Sequence, residues 1–294
     1  MKNFIIFGLL SCICVQAYEF DWDNVQSVRN SDNIVKAQLG PFYPHRGPEG
    51  RVVGGNEVTP HKYPHQVAIL LQLGDKTAFC GGSLISKRFV LTAAHCAKGV
   101  SNFTVILGAH NVKENEPTQQ VFQTTEKIVH PQWPITQFKL TNDIALIVLP
   151  QDAELNENVQ VIRLPSRSQV NNQFISVEGT VSGWGKDTDA ATSVSPVLRE
   201  ASNKIISNTK CNTYLLGIIE DSHVCLSGSE SRGACNGDSG GPLVITDFDG
   251  KLTQVGLVSF GLSLGCENSW PSAYTRLTSF LDFIASNSDV VIRE

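Results

Sequence analysis

The chain has 294 residues, 41% of them hydrophobic and 17% charged, with a formal net charge of −5. That length and apolar share suit a globular protein with a core large enough for one big domain or two smaller ones. The acidic balance and the absence of any Lys/Arg block exclude a nucleic-acid binder that works by neutralising phosphates.

In chain order, "MKN" leads into an apolar run at residues 4–15, followed by "VQA" with small residues where a signal peptidase cuts. Residues 1–17 therefore read as a secretory signal, and the mature protein is expected to be secreted and extracellular. The run is too short to span a bilayer and no second long apolar segment follows, so no membrane association is expected. Cys12 and Cys14 would leave with the signal, and Cys80, Cys96, Cys211, Cys225, Cys235 and Cys266 would remain. An even count outside the cell points to disulfides, whose pairing the spacing alone leaves open. Zinc is disfavoured by the long spacings and the lack of a Cys-x-x-Cys pair, despite His95 beside Cys96. Residues 18–51 are acidic and polar at first, then Pro/Gly-rich in "GPFYPHRGPEGR". Such a segment cannot build its own core and reads as a linker or pro-segment.

From residue 52 onward the texture is one of short β-branched runs, such as "YPHQVAILLQL", "FTVILGAH" and "DIALIVLP", separated by Gly, Pro, Asn and Asp. Asp249-Gly250 between two such runs predicts a hairpin. The pattern is that of an all-β sandwich or barrel. Leu277, Phe280, Leu281 and Ile284 fall at helical spacing and predict a C-terminal helix over about 276–288, packed on the sheets.

The stretch "SESRGACNGDSGGPLV" at residues 229–244 could be no more than a sharp turn, because Gly supplies positive φ and Asp or Ser bonds locally. A catalytic serine would also need a base within reach and a third group that sets the base's tautomer. "LTAAHC" places His95 at the end of an apolar strand, and "TNDIALIVL" places Asp143 at the mouth of another, where a carboxylate needs a partner. Each has an ordinary alternative, a satisfied core histidine or a strand-initiating aspartate. Taken in the order "LTAAHC", "NDIAL", "CNGDSGGPL", the chain resembles the chymotrypsin-like serine proteases. The resemblance runs from Val52 to about Ser288 and includes "VVGG", "SGWG" at residues 182–185 and "SFG" at residues 259–261.

That resemblance implies two antiparallel six-stranded Greek-key β-barrels followed by the C-terminal α-helix. The peptidase domain would span residues 52–294, with one barrel at about 52–160 and the other at about 161–275. It implies Ser239 as nucleophile, His95 as general base and then acid, and Asp143 as the carboxylate that orients His95. The N–H groups of Gly237 and Ser239 would form the oxyanion hole. It also implies the pairs Cys80–Cys96, Cys211–Cys225 and Cys235–Cys266. Cleavage after Arg51 by a trypsin-like protease would free the amino group of Val52 to pair with Asp238. No cysteine lies in residues 18–51, so the cut segment is expected to be released.

By the same resemblance, Gly233 forms the base of the primary specificity pocket and Gly261 and Ser272 its walls, with substrate main chain adding along Ser259, Phe260 and Gly261. Trypsin-like members carry an aspartate where Gly233 stands, so a large apolar or aromatic residue is expected before the scissile bond, with a tryptic preference as the rival. Gly at the base with a residue like Ser272 also resembles broad-specificity, collagen-cleaving members; an elastase-like preference is the further alternative. Arg232 and Glu267 lie beside this region. Ala109 stands where calcium-binding relatives carry a glutamate, leaving Glu114 and Glu116 nearby, so no metal and no cofactor are expected. Asn102 opens the sole N-x-[ST] sequon. The expected partners are protein or peptide substrates, the activating protease and protein inhibitors such as serpins, with the enzyme a monomer. A catalytically silent binding or regulatory homologue is the alternative from another class, weakened here by the retention of His95, Asp143 and Ser239.

Overall fold

The computed structural model describes residues 21–27, 55–133, 140–188, 190–261, 266 and 269–294. The apolar runs become strands of two antiparallel barrels. The first contains β3 (Gln66–Leu73), β4 (Lys76–Leu84), β5 (Phe89–Thr92), β6 (Asn102–Leu107), β7 (Gln120–Thr124), β8 (Lys127–Val129) and β9 (Ala145–Val148), in the order β7-β6-β3-β4-β5-β9-β8. β7 and β8 are separated only by Thr125 and Glu126 and act as halves of one bent run, the first half pairing with β6 and the second with β9. The second barrel closes on itself: β10 (Glu178–Gly183), β13 (Pro242–Thr246), β14 (Leu252–Phe260), β15 (Ser272–Arg276), β12 (His223–Leu226) and β11 (Arg199–Ile206) pair in that order, and β10 also pairs β11. β2 (Asn56–Glu57) lies within the span expected for the first barrel but adds to β11 of the second. The Asp249-Gly250 signal becomes the β13–β14 hairpin, with Gly250 at φ 77°.

β3 shows why a continuous apolar run marks a strand buried on both faces. Val67, Ile69 and Leu71 point into the first barrel with Phe103, Val105 and Ile147, whereas Ala68 and Leu70 meet Phe79, Ile106 and Trp184 on the other side. A third cluster joins the barrels: Ile85, Leu91, Ile144 and Leu146 from the first pack with Val244 and Leu257 from the second. Leu277, Phe280, Leu281 and Ile284 complete it, all at most 5% exposed. The helix that carries this stripe, α3 (Leu281–Asn287), starts later than its apolar spacing predicts. Residues Leu277–Ser279 form a 3-10 turn, and Phe280 at φ −126° and ψ 14° separates that turn from the α-helix. The other α-helices among the described residues are α1 (Ala94–Ala97) and α2 (Asn208–Tyr214).

One piece of the segment before residue 52 has a place in this fold. Trp22–Asn24 form a 3-10 turn, and β1 (Gln26–Ser27) pairs in parallel with Ala78 and Phe79 of β4. Val25, 4% exposed, enters the cluster on the outer face of β3, and the Trp22 ring lies 6.4 Å from that of Phe79. This segment has no core of its own and borrows the barrel's.

His65, 3% exposed between Tyr63 and β3, is pushed by burial down to a pKa of about 4. The unfolded chain takes up this proton near pH 6.5 and the folded chain resists until about pH 4, so the contribution is present above pH 6.5 and lost as pH falls through that window. At about 1.4 kcal/mol per pKa unit, it amounts to about 3 kcal/mol. Asp238 opposes it. Burial raises that carboxyl to about 6, so its contribution is present below the usual carboxylate range and lost as pH rises through 6. The two are separated by comparing variants: His65→Gln is expected to be less stable than the parent at pH 7, with the gap closing by about 3 kcal/mol at pH 4 in urea unfolding. A gap that does not change with pH would show that His65 does not resist protonation.

Candidate active site

The site lies on the seam between the barrels. His95 sits in α1, directly after β5, where the Cys80–Cys96 disulfide ties the turn back to β4. Asp143 immediately precedes Ile144 and β9; Asn142 before it takes φ 61°, turning the carboxylate inward. Asp143 is fully buried and accepts three hydrogen bonds. Oδ1 accepts from the His95 backbone N–H at 3.0 Å, and Oδ2 takes His95 Nδ1 at 2.8 Å and the Ser259 hydroxyl at 2.5 Å. Its own carbonyl accepts from Thr275 Oγ1 at 2.8 Å. Ser259 and Thr275 belong to the second barrel, so the carboxylate is solvated by groups from both sides, which compensates its burial.

The His95 side chain is only 3% exposed, and its Nε2 is buried without a hydrogen-bond partner among the described residues. No hydrogen bond therefore joins it to Ser239. The Ser239 main chain is nonetheless held close by. Its carbonyl accepts from Gly81 N–H at 2.8 Å and lies 3.6 Å from Cys96 Sγ. Gly240, next in the chain, donates to Val258 of β14 at 2.8 Å. Gly240 has φ +77°, and a Cβ there would lie 2.2 Å from Thr92 Oγ1, so no other residue fits between the Ser239 loop and the first barrel.

Gly237, at φ +107°, packs its α-carbon side against Gly185 and Val194, where a Cβ would come within 3.0 Å of each. Asp238 is 1% exposed; Oδ1 accepts from Gly185 N–H and Oδ2 from Cys235 N–H, both at 2.8 Å. These bonds pull its pKa down, but desolvation dominates and leaves it near 6. Gly183 and Gly185 leave the niche for this carboxyl, since a Cβ at Gly185 would lie 2.5 Å from it. Within "SGWG" the sequence alone gives neither glycine a role; the small residues on each side of the tryptophan are the available signal.

Of the pocket residues, Gly233 faces Ser272: a Cβ on Gly233 would stand 3.4 Å from Ser272 Oγ, whereas one on Gly261 would meet nothing within 4 Å. Ser272 Oγ bonds the Tyr274 hydroxyl at 2.9 Å. Tyr274 is fully buried and its phenol is pushed up by desolvation, so it lines this region as a neutral group that the sequence reasoning missed. The group bonded to Ser272 beside Gly233 is thus an uncharged one. Arg232 is exposed and turned to Glu230 at 3.2 Å. Ser259 and Phe260 end β14 and Gly261 follows it. The Cys235–Cys266 disulfide joins the Ser239 loop to the chain beyond Gly261, and Cys211–Cys225 links α2 to β12. Arg51, Val52 and Glu267 lie outside the described residues.

Cys80, His95 and Cys96 bring potential metal ligands within 4.8 Å of one another, but both sulfurs are used in the disulfide and are not thiolates. In the loop after Ala109, the Glu116 carboxylate accepts from the N–H groups of His110 and Asn111 at 2.6 and 3.0 Å, while Glu114 is exposed. Asn102 is half-buried at the start of β6.

A family model described as Trypsin matches residues 52–284. Brachyurin of Leptuca pugilator is 41% identical over 81% of this chain and 99% of its own length. Chymotrypsin of Phaedon cochleariae is 39% identical over 91% of this chain and 92% of its own, and collagenase of Hypoderma lineatum 37% identical over 83% and 89%. The solved HL collagenase structure superposes with a TM-score of 0.72 at 36% identity, covering 81% of this chain and 99% of that one.

Proposed function

Since the chain belongs to the trypsin family of serine endopeptidases, we propose that it is secreted as a zymogen and, once cut after Arg51, hydrolyses peptide bonds that follow large apolar or aromatic residues. The observation that carries the reading is the fully buried Asp143, whose Oδ2 takes His95 Nδ1. That bond holds the Nδ1 proton and leaves Nε2 with its lone pair free to accept one. Ser239 Oγ attacks the scissile carbonyl carbon while its proton passes to His95 Nε2. The C–N bond then breaks, the same proton leaves on the amine, and water repeats the steps to free the acid. Gly237 and Ser239 N–H groups hold the oxyanion, each such donor contributing about 3 kcal/mol in the transition state.

Activation follows from the electrostatics of Asp238. Its niche supplies two N–H donors and no cation among the groups that shift it, and its carboxyl stands near 6. The new amino terminus of Val52, with a reference pKa of about 8, is the cation that such a site favours. The pair then orders the Gly237 backbone. A trypsin-like protease supplies the cut, and the three disulfides suit an extracellular, oxidising setting.

Gly233 against Ser272, neutral Tyr274 and the open face of Gly261 support an uncharged slot. The enzyme cut at Arg51 is therefore expected to hydrolyse peptides with Phe, Tyr, Leu or Met before the scissile bond at least about tenfold faster than those with Arg or Lys, by kcat/KM. A strong preference for Arg or Lys would refute the slot reading. The similarity to a collagenase supports a second reading, broad cleavage that includes collagen. A serine-directed phosphonate, applied after the cut, separates either from a silent binding homologue, which it would not label.

A further inference from the structure

β4 pairs with β3 along its whole length, but β5 meets it only at Ser83 and Leu84. From Lys76 to Cys80 neither β3 nor β5 covers the other edge of β4, which is backbone of the kind that accepts an added strand. That edge leads to the nucleophile, because Gly81, just beyond it, donates to the Ser239 carbonyl. On the opposite side the Ser239 loop is held by Val258, after which β14 runs through Ser259 and Phe260. A peptide lying across Ser239 thus has the end of β14 on one side and the open edge of β4 on the other. With the acyl portion along Ser259–Phe260–Gly261, as the reading above has it, the residues after the scissile bond lie along β4.

The edge is occupied. β1 pairs with Ala78 and Phe79, Val25 is buried beside it, and Trp22 packs on Phe79. Phe79, Trp184 and Val194 belong to the same apolar cluster as Val25. Direction decides what this occupant does. β4 runs toward Ser239, so the leaving portion of a substrate, which runs away from Ser239, must lie antiparallel to it. β1 is parallel to β4. The docked segment therefore lies reversed with respect to a substrate and is not presented for cleavage in this pose.

We propose that residues 21–27 are a built-in blocking strand: they fill the leaving-group side of the cleft in reverse, stay bound after the cut at Arg51 through this docking in place of the release that the lack of a cysteine suggests, and compete with substrates that extend past the scissile bond. The inference rests on Ser239 being the nucleophile.

The test uses the full chain cut at Arg51 and two substrates: a short peptide ending in a coumarin amide at the scissile bond, and an internally quenched peptide extended several residues beyond it. Val25→Asp is expected to lower KM for the extended substrate by about tenfold while changing KM for the short one less than about twofold. Adding the synthetic peptide DWDNVQSVRN, residues 21–30, to the variant is expected to restore the high KM, and the same peptide carrying Val25→Asp is expected not to. Phosphonate labelling of Ser239 is measured in the same samples. With labelling intact, equal KM shifts for both substrates, or none, overturn the blocking strand alone. Absence of labelling and of turnover overturns the nucleophile assignment and the blocking strand with it.

Discussion

Ser239→Ala is expected to lower kcat of the activated protein by about 10⁶-fold while leaving the fold unchanged, the scale reached when the nucleophile of such a triad is removed. The structure explains why the two effects separate. The bonds that hold residue 239 do not use its hydroxyl: its carbonyl accepts from Gly81, Asp238 before it is anchored through its carboxylate to Gly185 N–H, and Gly240 after it through its N–H to Val258. The hydroxyl makes no bond to His95 Nε2 in this structure, so its removal leaves no new orphan. Unfolding free energy should change by less than about 0.5 kcal/mol, as for substitutions that touch no packed or bonded feature. Turnover on a Phe-containing peptide and urea unfolding on the same preparation check both halves; near-normal turnover would remove Ser239 from the mechanism.

Asp143→Asn is expected to lower kcat by about 10⁴-fold, the size seen where the orienting carboxylate of such a triad becomes an amide. The carboxylate here accepts from three donors, and an amide keeps one oxygen and brings an NH₂. If the amide oxygen stays with the His95 backbone N–H, the NH₂ faces Ser259 and His95 Nδ1. Nδ1 must then accept, Nε2 carries the proton, and the ring can no longer take one from Ser239. If the amide turns over, its NH₂ meets the backbone N–H at the 3.0 Å position, and a fully buried donor is left unpaired at a cost of about 1–3 kcal/mol. The variant should accordingly be less stable as well as slow. Asp143→Ala should be no faster than Asp143→Asn; an Asn variant within about tenfold of the parent would show that the tautomer of His95 is set by something else.

Much of this architecture is legible from local pattern, and what is not has a common cause. The runs that become β3, β6 and β9 are apolar and β-branched, and the Asp249-Gly250 turn announces its own hairpin, so their signals lie within a few residues. The stripe from Leu277 to Ile284 is likewise visible, although the break at Phe280, which sits in the cluster between the barrels and edge-on to the His130 ring, carries no local mark. His95, Asp143 and Ser239 stand out only through their order along the chain. The hydroxyls of Ser259 and Thr275 that satisfy Asp143, and the glycines around Trp184 that admit Asp238, are chosen by partners more than a hundred or about fifty residues away. β1 is the extreme case. Its two residues have no strand pattern of their own, and their pairing exists because β4 offers an edge.

The cluster that joins the barrels bears on how long such an enzyme survives among its own kind. A peptidase is digested by its neighbours when a stretch of backbone opens long enough to enter a cleft, and the rate follows the population of that opened form. Ile85, Leu91, Ile144 and Leu146 share their packing with Val244, Leu257 and Ile284, so loosening either barrel strips apolar surface from the other and from the terminal helix. Opening enough chain to be cut then approaches the cost of unfolding the whole molecule. The same seam on which His95 and Ser239 lie is thereby expected to slow self-digestion.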